Sequence, residues 1–298
     1  MLEFQPFLIE HKEIIDQYVR PHGFYCSELT FTNMIIWGQD DKIQWAEQDD
    51  VLYVRLTFGS YPMFMFPPVM KDWDQDYKRA LDGALEYFYA QGEFPRFRSV
   101  SGQFVPLFRK HAPQFTLSPE RDTFDYVYRV EDLLNLAGRK YHSKRNHIHQ
   151  FTSQYEFEYQ ELSPQDSEEC MELYLSWLSE KDVLAPGILG EMNAIRFLLP
   201  NMDKLGVRGA GIRVGGKLVA FTIGEQINSD AAVIHIEKAD ASYMGLYAVI
   251  NQQFVKNTWS HLSYINREED MGILGMRKAK LSYRPAFMVE KFDAVLRP

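Results

Sequence analysis

"VRGAGIRVGGKLVAFTIGEQINSDAAVIHIEKADASYMGLYAVINQQF" (Val207–Phe254) is the stretch whose reading decides the fold. Apolar runs alternate with turn signals at Gly215-Gly216 and Asn228-Ser229-Asp230, the pattern of a strand meander. A helix from Tyr243 to about Thr258 follows. Upstream, Ser163-Pro164 starts a helix in which Cys170, Leu173, Tyr174, Trp177 and Leu178 fall at i, i+3, i+4, i+7 and i+8, one apolar face. A short helix then spans roughly Gly190 to Leu199. Downstream come a strand at "LSYIN", the segment "NREEDMGILGMRKAKLSYRP" (Asn266–Pro285) and a terminal strand in "AFMVEKFDAVL".

The first half repeats this order. Ser27 is expected to cap a helix through "ELTFTNMIIWG", stopped by Gly38. "KIQWAEQDDVLYVRLTFGSYPMFMFPPV" reads as three strands, with turns at Gln48-Asp49-Asp50 and Gly59-Ser60. A helix from about Asp72 to Gln91 carries Tyr77, Leu81, Ala84, Leu85 and Phe88 on one face. A strand at "PRFRSV", a helix-like "GQFVPLFRKH" and a strand at "FDYVYRV" complete it. No residue-level repeat is visible. The shared order of elements implies two domains of one α/β fold with mixed sheets, residues 1–128 and 129–298, with a strand free to pass between the halves.

Of 298 residues, 46% are hydrophobic and 14% aromatic, ample for packed cores. A net charge of −9 argues against a protein devoted to duplex DNA, though not against a local basic patch. Cys26 and Cys170 stand in no metal or redox spacing and read as buried small hydrophobes. The first residues, "MLEFQPFLIEHKEIID", lack a signal-peptide pattern. No segment approaches the ~20 apolar residues that span a bilayer. The expected location is cytoplasmic.

Four strings sharpen the reading: "FYCSELTFTNMIIW", "GRKYHSKRNHIHQF", "EKADASYMGLYAVIN" and "DMGILGMRKAKLSYRP". With them the chain resembles the family of the C-terminal domain of bacterial phosphatidylglycerol lysyltransferases and its soluble relatives, and more distantly the Fem-type peptidyl transferases. The resemblance covers nearly the whole chain, and only the last string is fairly specific. It implies two tandem GNAT-like acyltransferase domains, with the C-terminal one carrying the active site. It also implies transfer of an aminoacyl group from aminoacyl-tRNA to a lipid or peptide acceptor, and the reading adopted for this chain admits a small-molecule, peptide or lipid head-group acceptor. The lysyltransferases carry a large membrane domain, for which no apolar segment is expected within these residues.

GNAT enzymes that use acyl-CoA hold the pyrophosphate on a glycine-rich turn at a helix start, where backbone N–H groups converge. Here the string is Ser242-x-x-Gly245-x-Tyr247, and the tyrosine weakens coenzyme A as donor. Tyr243 and Gly245 are kept as substrate-binding candidates. The plainer reading is a helix start capped by Ser242, with Tyr247, Ile250 and Phe254 packing inward.

From Leu133 to Tyr155 there is no acidic residue. If this segment is helical, Tyr141 and Ile148 share an inward face with Ala137. Arg139, Lys140, Lys144 and Arg145 then offer charge to phosphates. A solvated basic helix explains the same run. The histidines give no metal spacing, so no metal or other cofactor is expected. In "HIEKAD", Glu237 can orient an acceptor amine, while Lys238 reads as edge-strand charge.

The segment Asn266–Pro285 places acids, glycines and cations in succession. Acyl transfer needs a group to take the acceptor's proton and charge to steady the oxyanion. Asp270 is expected to take or position the proton. Arg277 and Lys280, at i and i+3, are expected to hold anionic charge, and Tyr283 to protonate the leaving hydroxyl. Gly272 and Gly275 would let substrate approach the backbone. The helix dipole alone explains acids before cations but not the glycines. Two alternatives stay open: an acyl-CoA-dependent N-acetyltransferase, and a non-catalytic protein that binds RNA or another anionic ligand.

Overall fold

Turn chemistry and apolar runs build two mixed sheets. The computed structural model describes residues 1–38, 42–58, 61–72, 76–179 and 188–296. The turn expected at Gly59-Ser60 lies outside them. By its contacts the chain forms two units. One holds Met1–Asp125, Glu269–Ile273 and Met288–Pro298, the other Tyr126–Glu268 and Leu274–Phe287. A division into residues 1–128 and 129–298 misses this return of the tail to the first unit.

The first unit contains β1 (Gln5–Pro6), β2 (Ile43–Gln48), β3 (Val51–Leu56), β4 (Phe64–Met65), β5 (Val69–Met70), β6 (Arg96–Ser101) and β7 (Phe115–Pro119). Its helices are α1 (Lys12–Val19), α2 (Phe31–Trp37), α3 (Tyr77–Ala90) and α4 (Val105–His111). Asp49 and Asp50 take left-handed backbone, φ 54° and 58°, and close the β2–β3 hairpin. Helix α2 is capped by Thr30, whose hydroxyl accepts the Asn33 N–H at 3.1 Å. Ser27, the expected cap, instead donates its N–H and hydroxyl to the Asp125 carboxylate at 2.9 and 3.0 Å.

The second unit contains α5 (Val130–Asn135), α6 (His142–Thr152), α7 (Ser167–Ser179), α8 (Ile188–Leu198), α9 (Met202–Leu205), α10 (Leu246–Phe254) and α11 (Leu274–Leu281). Its sheet takes β8 (Asp125–Arg129), β9 (Glu158–Leu162), β10 (Arg208–Val214), β11 (Lys217–Gln226), β12 (Ala231–Ala239), β13 (Tyr264–Asn266) and β14 (Phe287–Val289), in the order β14-β8-β13-β12-β11-β10-β9. The meander of β10, β11 and β12 is antiparallel, as its turns require. Leu246, Val249 and Ile250 of α10 pack with Phe151 of α6 on Ile212 and Val219 of the sheet. Strand β13 runs parallel to β12, but pairing covers Ala231–Val233 with Tyr264–Asn266 alone. Beyond Val233, β12 continues without β13 beside it.

The single terminal strand expected from sequence is two. Phe287–Val289 is β14, beside β8. Lys291–Leu296, here β15, pairs with β6 and β7 in the first sheet. Lys291 is fully buried, donates to Asp125 at 2.6 Å, and also pairs with Glu28. Donor atoms of Cys26, Glu28 and Asp125 lie within 4.8 Å of one another, and the Lys291 ammonium supplies the positive charge among them. No helix among the described residues is long and apolar enough to cross a membrane.

Removing one partner of a buried pair strands the other charge, at about 3–5 kcal/mol. Lys291→Met should lower unfolding free energy by about that much in urea, and adding Asp125→Asn should recover part of it. A loss under about 1 kcal/mol would mean the pair behaves as a solvated one.

Candidate active site

Where β13 leaves β12, side chains span the opening. Strand alternation puts His235 and Glu237 on one face of β12. The His235 ring lies between two carboxylates, with Nδ1 2.9 Å from Glu268 and Nε2 3.1 Å from Glu225. Burial pushes this imidazole towards neutrality, but the two carboxylates outweigh it and raise its pKa to about 9. Next along, the Arg267 guanidinium donates to Glu237 Oε1 at 2.7 Å. Burial disfavours the Arg267 charge; Glu237 more than restores it, leaving the pKa above its ordinary value.

Arg267 faces a cavity of about 540 Å³ with Lys144, Lys280 and Tyr283. Tyr243, Met244, Tyr247 and Met276 supply much of its apolar wall. Helix α6 delivers Lys144, and Gly245 seats α6 on α10. Gly245 has φ +90°, and a Cβ there would stand 1.9 Å from the His147 carbonyl oxygen. Only glycine allows that approach. Lys144 Nζ lies 3.9 Å from the centre of the Tyr283 ring. Burial and then Arg267 push its pKa down to about 8, against the pull of Glu237. Burial pushes the Tyr283 phenol up to about 12, against Arg267. The Tyr141 hydroxyl donates to the Tyr283 carbonyl at 3.1 Å, which fixes that backbone. Lys280 Nζ donates to the carbonyls of Arg267 and Glu268, the latter at 3.1 Å.

The family model of the phosphatidylglycerol lysyltransferase C-terminal region matches residues 20–295. The chain belongs to that family. A conserved protein of unknown function from Bacteroides thetaiotaomicron VPI-5482 is 32% identical, with both chains covered in full and a TM-score of 0.93. L-PGS from Bacillus licheniformis shares 12% identity over 98% of this chain and 92% of its own, with a TM-score of 0.70. A tandem GNAT protein from the clavulanic acid biosynthesis pathway shares 11% over 100% and 99%, with a TM-score of 0.55. The last two likenesses are of fold alone. An uncharacterised protein of Mycoplasmoides gallisepticum is 23% identical over 171 residues, 56% of this chain and 54% of that protein. The chain thus spans about half the length of that curated relative.

Within this lysyltransferase-family fold, the cavity gathers some of the residues expected from sequence and leaves others out. Lys144, Lys280, Tyr243, Gly245 and Tyr283 line it. Glu237 stands behind Arg267 and accepts from Asn251 at 3.4 Å as well. Asp270 does not line it. Its fully buried carboxylate accepts the Gly272 N–H at 2.9 Å and Arg121 at 3.4 Å, which closes a turn and explains the residue without a substrate. Gly272 has φ +73°, and a Cβ there would press on Asp122 at 2.8 Å, so packing explains it without a substrate. Nothing lies within 4 Å of a Cβ at Gly275. Arg277, half-buried on α11, is also outside the lining.

The basic helix divides in the same way. Arg145 donates to the carbonyls of Leu136 and Gly138, closing the end of α5. Lys140 pairs with Asp132 at 3.5 Å, and Arg139 and Ala137 are exposed. Ser242 gives its hydroxyl to Asp240, and Gly245 is the N-cap of α10. Ile250 and Phe254 pack inward as expected, but Tyr247 is 40% exposed and lines the cavity. Sequence reading passed over Arg267. Its signal was position: a cation directly after a strand, where sites tend to form in such folds.

Two outcomes follow. Gly245→Ala should cost several kcal/mol by thermal melting, while Gly275→Ala should be neutral or stabilise by up to about 1 kcal/mol. Equal effects would remove the packing role of Gly245. His235, raised from about 6.5 in the unfolded chain, stabilises most below that pH and loses this contribution as pH climbs through about 9. Urea midpoints of the native protein should fall across that window, and His235→Gln should flatten the fall.

Proposed function

We propose that the chain is an aminoacyltransferase that moves an aminoacyl group from the ester of aminoacyl-tRNA to an amine or hydroxyl acceptor. The acceptor is a small molecule, a peptide or a lipid head group. One observation carries this reading. Lys144 and Tyr283 face each other in the cavity with pKa values pushed in opposite directions, to about 8 and about 12. An amine that is partly neutral near pH 7 can take a proton, and a phenol that stays protonated can give one. Membership of an acyltransferase-type family supports the same reaction class.

The chemistry then follows from position. The neutral Lys144 amine takes a proton as the acceptor attacks the ester carbonyl. The Arg267 guanidinium, held by Glu237, steadies the oxyanion. Tyr283 stays protonated near neutrality and gives its proton to the departing ribose hydroxyl. The acyl–oxygen bond breaks as the new amide or ester forms. Gly245 meets the His147 backbone and Tyr247 stands in the wall, which favours an aminoacyl donor over coenzyme A.

The test is incubation with radiolabelled aminoacyl-tRNAs and cell extract, tracking the label. Lys144→Met should slow transfer by about 10²–10⁴-fold with little change in melting temperature. The native rate should rise about tenfold per pH unit below about 8 and level above it, because the base must be neutral. Native-like transfer by Lys144→Met would remove its role, and label arriving from acetyl-CoA instead would change the donor.

A further inference from the structure

Sequence reading set Lys238 down as edge-strand charge, and β12 has no β13 beside it at this position, yet Lys238 is buried. Its ammonium sits 3.9 Å from the centre of the Trp177 ring and 5.6 Å from that of Tyr174. Glu191 Oε1 is 2.8 Å away, and its second oxygen accepts the Tyr174 hydroxyl at 3.2 Å. Aromatic faces and a carboxylate are the chemistry that recognises an alkylammonium. Here the chain fills that box with its own lysine. The box adjoins the cavity through Tyr247, which lines the cavity and whose phenol feels both Trp177 and Glu191.

The second carboxylate near the cavity, Glu237, is neutralised by Arg267. No carboxylate stands among the described residues of the lining, whereas Lys144, Arg267 and Lys280 do. A side-chain cation that enters with no partner, beyond the α-amine every aminoacyl group carries, meets both repulsion and desolvation. We propose that the site accepts transferred groups with uncharged or anionic side chains and excludes cationic ones, and that Lys238 sets this preference by occupying the aromatic–carboxylate box. The proposal rests on the aminoacyl-transfer reading above. The depressed basicity of Lys144 agrees with it, since the cavity already disfavours a resident ammonium.

The probes are three adenosines bearing an aminoacyl group through a stable 3′-amide: alanyl, glutamyl and lysyl. All three share the α-amine; the glutamyl and lysyl side chains are both long and differ in the sign of their charge, so that pair isolates the preference, and the alanyl compound reports binding without a side-chain charge. Methyl signals of Met244 and Met276, which line the cavity, report binding by NMR. The native protein should bind the alanyl and glutamyl compounds at least about tenfold more tightly than the lysyl one. Lys238→Met should close or invert that gap, and Lys238→Arg, which keeps the cation, should preserve it. Melting curves establish that each variant folds; the native ratios test the preference without any variant. Lysyl binding as tight as alanyl in the native protein would overturn the preference, and an unchanged ratio in folded Lys238→Met would overturn the role of Lys238. Failure of all three compounds to move either methyl signal would overturn the aminoacyl reading itself, and this proposal with it.

Discussion

The parting of β12 from β13 is the constraint on which the second unit's cavity depends. Parallel pairing ends at Val233 and Asn266, so the backbone of β12 beyond that point has no strand on one side. Side chains hold the opening instead: His235 between Glu225 and Glu268, and Glu237 on Arg267. Such bridges are directional and leave few rotamers free, so Arg267 keeps its orientation towards the cavity. Lys280 reinforces it by donating to the carbonyls of residues 267 and 268. A hydrogen-bonded strand in the same place would have closed the opening.

The cavity's second wall follows from one glycine. Because Gly245 has no Cβ, the backbone of α6 can rest against the start of α10 at His147. That contact brings Lys144 above the Tyr283 ring. A glycine at this position of the fold suggests a phosphate-holding turn when only the sequence is read. Its geometry shows a packing constraint that places Lys144. The same residue thus belongs to the site for a different reason from the one its spacing implied.

Much of the fold was legible because local chemistry states it. Gly215 and Gly216, at φ 56° and 82°, close the β10–β11 hairpin, and the apolar spacing from Cys170 to Leu178 describes α7. What escaped depends on distant partners. Ser27 gave up its capping role because Asp125, 98 positions away, claims its hydrogen bonds. The division of the tail into β14 and β15 depends on which sheets receive it, which periodicity does not encode. In the site, Lys144, Lys280 and Tyr283 were legible as charge and ring on two segments. Asp270 is bonded to its own backbone in the structure, which the sequence does not state, because a carboxylate before glycines and cations looks the same whether it meets a substrate or its own backbone. Arg267 was overlooked because its meaning comes from Glu237 on another strand.

A crystal structure with a stable 3′-aminoacylamido-adenosine tests the central claim most directly. The account predicts ligand density in the cavity of the second unit, with the amide carbonyl about 3 Å from the Arg267 guanidinium and the scissile position facing Lys144 and Tyr283. Density seated instead against Arg277 and Asp270, with the cavity unchanged, would contradict it.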